Sequence, residues 1–169
     1  MAKIAYPECG KIVTTHGCHG GVKVESWCDS ARVLAALPAV YMREAGEFKR
    51  IALKKAAVSR NMVYANLEGV DTMEQADALR GTVLYAKRED LRLPDGVMLI
   101  AEMKGLPVYH VQTKEKLGVL KDVIHPAHTD IYVIITEKGE AMVPVVEEFV
   151  KHVGEDGIWL SPIEGMFDL

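Results

Sequence analysis

Between Gly10 and Val24 the chain reads Gly-Lys-Ile-Val-Thr-Thr-His-Gly-Cys-His-Gly-Gly-Val-Lys-Val, two β-patterned arms around a histidine-glycine turn. In the second arm Val22 and Val24 alternate with Lys23 and Glu25, the period of two that puts apolar side chains on one face of a strand. In the first arm Ile12 and Thr14 fall on one face and Val13 on the other. The connection holds Gly17, Gly20 and Gly21, which suits a backbone that enters positive φ or must let another backbone approach closely. A β-hairpin is expected here, with neither phosphate-loop chemistry nor a nucleophile in its turn.

The rest of the first half keeps the same cadence. Residues 22–26, 39–43, 48–53, 62–67 and 82–87 read as short strands, with Glu44-Ala45-Gly46-Glu47 and Arg60-Asn61 as hairpin connections. Two helical segments interrupt them. Residues 30–37 follow Asp29 as N-cap and stop at Pro38, while residues 72–80 follow Asp71 and stop at Gly81. Either Asp71 with Glu74 or Thr72 with Gln75 makes a capping box. Leu91-Arg92-Leu93-Pro94-Asp95-Gly96 carries the Pro, Asp and Gly of a linker, so the chain is divided into a domain at 1–90, a linker at 91–96 and a domain at 97–169. In the second domain 106–111 and 117–124 flank a polar turn, and 130–136 leads through a turn to 141–143. Pro144 ends that ladder, 145–150 reads as a short helix or 3₁₀ turn, and 158–161 as the last strand. Many strands at short spacing with two brief helices point to a barrel.

Charge is uneven. Residues 1–96 hold 14 Lys+Arg and 12 Asp+Glu, a net +2, whereas residues 97–169 hold 6 and 12, a net −6. The two halves would therefore present fields of different sign to a partner. The longest strongly apolar runs, 97–101 and 131–135, fall far short of the ~18 residues of a membrane helix. Residues 1–15 lack an apolar h-region, so no membrane association and a cytoplasmic location are expected.

Cys9, Cys18 and Cys28 are an odd count and argue against a disulfide framework. With His16 or His19 they have zinc-ligand chemistry but no Cys-x-x-Cys spacing, and the competing reading is three small side chains in a β-barrel. His125-Pro126-Ala127-His128-Thr129-Asp130 offers three potential ligands on a loop, with no fourth indicated. Neither metal nor cofactor is expected. Nucleotide-loop, metalloprotease and nucleophile-elbow signatures are missing, and His16 beside Cys18 and His19 lacks an orienting third group, so no catalytic residue is assigned. Lys49, Arg50, Lys54, Lys55 and Arg60 form a basic stretch running into Tyr64; they are candidates to face RNA, or lysines guarding a strand edge.

The opening segment resembles the signature of the ribosome maturation factor RimM family, Gly-x-Ile-x-Gly-Pro-His-Gly-Leu-x-Gly-x-Val-x-Val. Gly10, Ile12, His16, Gly17, Gly20, Val22 and Val24 match in register, while Thr14-Thr15 replace Gly-Pro and Cys18 replaces Leu. Later landmarks occur in the family's order: Ala76-Asp77-Ala78-Leu79-Arg80-Gly81-Thr82-Val83-Leu84-Tyr85, then Gly105-Leu106-Pro107-Val108, Leu117-Gly118-Val119-Leu120-Lys121-Asp122-Val123, Asp130-Ile131-Tyr132-Val133, Val143-Pro144 and Glu164-Gly165-Met166. The resemblance implies a mainly β fold of two small antiparallel β-barrels joined by a short linker, an N-terminal RimM barrel and a C-terminal PRC barrel, with a few short helices.

It further implies a non-enzymatic assembly factor for the small ribosomal subunit, active in 16S rRNA processing. Such a factor binds a head-domain ribosomal protein (the small-subunit protein numbered nineteen) and assists folding of nearby rRNA; a monomer is expected. Partner binding is placed at Leu99, Ile100, Glu102, Gly105 and Pro144, and the signature turn at Gly10, His16, Gly17, Gly20 and Lys23. Where the family has Tyr-x-x-Asp-Leu-Ile-Gly, this chain reads Leu99-Ile100-Ala101-Glu102-Met103-Lys104-Gly105, which keeps an acid and the turn but loses the aromatic. Two other readings stand beside this one: a barrel binding a flavin or other small ligand in an oxidoreductase, and a PRC scaffold unrelated to ribosomes.

Overall fold

The hairpin forms from β1 (Glu8–His16) and β2 (Gly21–Ser26), with Ile12 opposite Val24 and both buried. A computed structural model describes residues 3–168. These divide into two compact units, Ile4–Leu93 and a second containing residues 94–168. The pairing shifts register between Ile12 and Thr14, so Thr14 faces Lys23 on the outer surface. Ile12 and Thr14 therefore lie on opposite faces, not together as strict alternation expects, because the bulge inserts one residue into the ladder.

After β2 the first unit continues through α1 (Ala31–Ala35), β3 (Ala39–Glu44), β4 (Glu47–Ser59), β5 (Met62–Leu67), α2 (Met73–Ala78) and β6 (Val83–Tyr85). The strands close into a barrel in the order β1-β2-β5-β4-β3-β6, every pair antiparallel. Alternating side chains of β2 and β5 fill it with Val22, Val24, Val63 and Leu67, and Leu34 of α1 joins that core. Strand β3 is buried on both faces because Tyr41 is covered by Tyr6, whose ring stacks on Phe48 at 4.4 Å.

Both helices begin one residue later than expected. Ser30, not Asp29, caps α1, accepting the Arg32 amide at 3.2 Å. Of the two capping boxes, Thr72 with Gln75 is the one that forms: the Gln75 amide donates to Thr72 Oγ1 while Gln75 Oε1 accepts the Asp71 and Thr72 amides. A side chain caps only where its own backbone is extended and its oxygen reaches the second or third amide.

The second unit runs α3 (Ile100–Met103), β7 (Pro107–His110), β8 (Lys116–Ile124), β9 (Ile131–Thr136), β10 (Gly139–Pro144), β11 (Val150–Gly154) and β12 (Gly157–Leu160). They form a six-stranded sheet in the order β10-β9-β8-β7-β12-β11. Its ladder does not close as that of the first unit does, β10 and β11 being its edges, and one pair is not antiparallel: β12 runs parallel to β7, with Ile158 beside Val108. The chain crosses from β10 and returns through the β11–β12 hairpin, and the direction of that return, not any pattern within 158–161, sets the pairing. Residues 145–150 make a turn in which the Phe149 and Val150 amides donate to the Val146 carbonyl. No helix follows; the chain passes directly into β11, an edge strand whose half-exposed side chains leave little apolar alternation to read. Tyr132, Ile134, Val143, Ile158 and Leu160 centre the core.

At the β11–β12 turn the Trp159 indole N–H donates to Asp156 Oδ2 at 3.0 Å, and His152 Nε2 lies 3.4 Å from Oδ1. The indole bond first, with His152 assisting, holds the Asp156 carboxyl below its ordinary range. A depressed carboxylate contributes stability that is present above its unfolded pKa and lost as pH falls through its folded one. The Trp159 indole resonance is therefore expected to titrate with an acid midpoint below the ordinary 3.8, as followed by heteronuclear NMR. A midpoint at or above that value would mean that the indole bond does not stabilise the carboxylate.

Candidate functional site

Residues directly opposite one another on antiparallel strands share a face, so the ladders map the outer surface of the first barrel. One row across β1, β2, β5 and β4 reads His16, Gly21, Asn66, Lys55; the next reads Thr14, Lys23, Tyr64, Ala57. The signature turn and part of the basic stretch, separated by some forty residues in sequence, thus meet on one surface.

Two features shape that surface. At Gly21 an added Cβ would sit 2.3 Å from the His16 carbonyl oxygen, so only glycine closes the hairpin, and its missing side chain leaves a gap in the row. On β4 the pairing with β5 shifts between Leu53 and Lys55, which bulges Lys54 outward beside its neighbour. The result is an open groove of about 620 Å³ lined by His16, Gly17, Cys18, Lys55, Tyr64 and Asn66, among others. A further depression of about 350 Å³, sharing His19, Lys55 and Asn66 with it, extends past Lys54 to Asp71. The Tyr64 ring is half-buried; the His16 ring lies 4.5 Å from it at 54°, and Lys23 Nζ stands 5.9 Å from its centroid.

The other predicted residues are placed differently. Gly10 is buried where β1 meets β2, and a Cβ added there would lie 2.6 Å from the Glu25 carbonyl oxygen. Gly17 and Gly20 both have positive φ, but Gly17 faces open space whereas Gly20 abuts the Val70 backbone. Lys49 and Arg50 lie opposite Met42 and Tyr41 on the β3 arm of β4, and Arg60 sits in the β4–β5 turn at φ +56. The basic stretch is therefore divided along a 13-residue strand, and only Lys54 and Lys55 reach the groove.

Cys9 is buried, and burial first, with Cys28 nearby, pushes its thiol up to about 12. The Cys28 thiol, also raised by burial, lies 3.7 Å from the Cys9 carbonyl oxygen. Both are protonated at neutral pH, the state unsuited to ligating metal or attacking carbon. Among the described residues no three His, Cys, Asp or Glu side chains gather into a metal-holding group, and His125 is engaged with Asp130 at 2.8 Å.

In the second unit the expected partner residues separate. Glu102 is only 1% exposed and turns inward, its Oε2 accepting the Leu99 amide at 2.9 Å, so it holds the start of α3 and offers no carboxylate at the surface. Ile100 packs against the core, and Leu99 is half-buried. Gly105, at φ +90, donates its amide to the Leu120 carbonyl. Pro144 lies on the outer face of the sheet, opposite Ile131.

That outer face was not among the expected sites. Its rows are Ile124-Ile131-Pro144, Asp122-Val133-Met142 and Val119-Ile135-Glu140. Ile124, Ile135 and Met142 are 38%, 48% and 56% exposed. Ion pairs flank it: Lys104 to Asp122 at 2.9 Å, which holds the Asp122 carboxyl low, and Lys121 to Glu140. The signal was present in Ile131-Tyr132-Val133-Ile134-Ile135, where both strand faces are apolar: Tyr132 and Ile134 join the core cluster, while on the outer face Val133 is buried among its neighbours and Ile135 is exposed. None of the helices among the described residues is long and apolar enough to cross a membrane.

Two family models match the chain: the RimM N-terminal domain over residues 8–91 and the RimM PRC barrel domain over residues 100–157. The ribosome maturation factor RimM of Clostridioides difficile (strain 630) is 32% identical over 98% of both chains. That of Desulfitobacterium hafniense (strain Y51) is 31% identical over 88% of this chain and 86% of its own. A Pseudomonas aeruginosa crystal structure described as a 16S ribosomal RNA processing protein RimM covers 94% of this chain and 98% of its own, at 24% identity and a TM-score of 0.47.

Proposed function

The chain belongs to the RimM family of ribosome maturation factors, and from that premise we propose that it assists maturation of the small ribosomal subunit and its 16S rRNA by binding, without catalysis. Its second unit takes the head-domain ribosomal protein numbered nineteen, and its first barrel faces nearby rRNA. It acts as a cytoplasmic monomer with domains at 1–90 and 97–169.

The observation that carries this reading is the open apolar face of β8, β9 and β10 in a half of the chain with net charge −6. Ribosomal proteins are generally basic, so charge would steer one to this half, and the apolar strip would hold it once docked. Pro144 belongs to that strip, whereas Leu99, Ile100, Glu102 and Gly105 act indirectly, by setting α3 against β8. Lys104, next after α3, reaches Asp122 at its margin.

Surface plasmon resonance with the isolated ribosomal protein tests the proposal. Raising salt is expected to slow association with little change in dissociation, while Ile135→Ala with Met142→Ala is expected to speed dissociation about tenfold by removing buried apolar contacts. An unaltered dissociation rate in the double variant would move the interface off this face.

A further inference from the structure

We infer that the groove beside the His16–Gly21 turn is a binding site for single-stranded RNA, with a base stacked against Tyr64 and the adjoining phosphates held by Lys55 and Lys54. This rests on the proposal that the first barrel faces rRNA, and it assigns that contact to particular residues. Three observations converge. Tyr64 is an aromatic wall placed on the outer surface, half-exposed between two groups able to carry positive charge, His16 and Lys23. Ala57 lies opposite it in the ladder and Gly21 stands in the adjoining row, and these small residues leave room for a planar group where a strand surface would ordinarily be filled.

The third observation is the direction in which the groove continues. From Tyr64 it passes Lys55 and Asn66 to Lys54, so cationic and amide side chains follow the aromatic along one line before Asp71 closes the far end. Stacking on an aromatic needs an unpaired base, and successive phosphates need cations spaced beside it. His16 to Lys55 crosses four strands, about 14 Å at ordinary strand spacing, which suits a short run of nucleotides rather than an enclosed small molecule. Asn66 adds an amide that both donates and accepts, a match for a base edge.

Lys49 and Arg50 stand on the other arm of the same strand and serve as the internal comparison. Fluorescence anisotropy of the full chain with labelled 12-nucleotide oligouridylate and oligoadenylate, at several salt concentrations, provides the measurement. Tyr64→Ala is expected to weaken binding about tenfold, and Tyr64→Phe to stay within about twofold of wild type, because the phenyl ring still stacks. Lys54→Ala with Lys55→Ala is expected to weaken binding and lower the salt slope by roughly 1.4, about 0.7 for each lost phosphate contact. Lys49→Ala with Arg50→Ala is expected to change little.

If wild-type protein binds RNA but Lys49→Ala with Arg50→Ala loses it while the groove variants do not, the RNA-facing reading survives and this site falls. Failure of wild-type protein to bind either oligonucleotide overturns both the site and the RNA-facing reading, leaving the ribosomal-protein interface to its own test. Groove variants that bind RNA normally but lose the ribosomal protein would make this a protein site and overturn the inference. Thermal melts accompany each variant. Should Tyr64→Ala unfold, the lysine pair decides, since both side chains are exposed and carry no core packing.

Discussion

Gly20→Ala is expected to destabilise the first barrel by about 3 kcal/mol, against about 1 kcal/mol for Gly17→Ala three residues away. Both glycines adopt left-handed φ, +73 at Gly17 and +83 at Gly20, so a side chain strains the backbone at either. Only Gly20 adds a collision. A Cβ there would lie 2.3 Å from the Val70 carbonyl oxygen, 2.7 Å from its carbon and 2.8 Å from the Asp71 nitrogen. All three are backbone atoms immediately before the α2 cap, and no rotamer change relieves the overlap. At Gly17 nothing lies within 4 Å. Urea unfolding should show a midpoint lowered by roughly 1–2 M for Gly20→Ala, at ordinary denaturant slopes, and a much smaller shift for Gly17→Ala. Equal midpoints for the two variants would mean that the turn does not seat against Val70. RNA binding in the groove offers a second readout, since displacing the turn carries His16 away from Tyr64.

Glu102→Ala should cost the second unit about 3 kcal/mol, and Glu102→Gln about 1 kcal/mol. The carboxylate is buried and satisfies the Leu99 amide at the start of α3, a four-residue helix too short to persist by its own hydrogen bonds. Alanine leaves that amide without its acceptor and a void among buried side chains, whereas glutamine keeps an oxygen of similar reach. Trp159 fluorescence in a Trp27→Phe background reports the second unit alone. Wild-type stability in Glu102→Ala would make the inward carboxylate incidental. Weakened ribosomal-protein binding by the alanine variant, recovered by glutamine, would show that Glu102 acts by positioning α3.

Local chemistry was legible wherever neighbours along the chain decide the outcome. The alternation of Val22, Lys23, Val24 and Glu25 gives β2; Arg60-Asn61 gives a two-residue turn; Pro38 and Gly81 bound the two helical regions; and both capping boxes near Asp71 could be written down, though not chosen between. The signature around His16 lies along one wall of the groove. Its partners were less legible: Lys54 and Lys55 belong to it and Lys49, Arg50 and Arg60 do not, because a bulge and a change of strand partner intervene within β4.

Composition and order along the chain determined a mainly β protein, the place of the two helices in its first half, the sign of charge on each half and the family to which it belongs. Tertiary structure alone decided which side chains face together. A bulge after Ile12 turned Thr14 outward, the return of β12 beside β7 made one parallel pair, and the seating of α3 turned Glu102 inward while Ile135 and Met142 were left outside. The physical reason is the strand's period of two: one inserted residue exchanges its faces, and insertion is settled by backbone pairing with strands distant in sequence, not by the residues themselves.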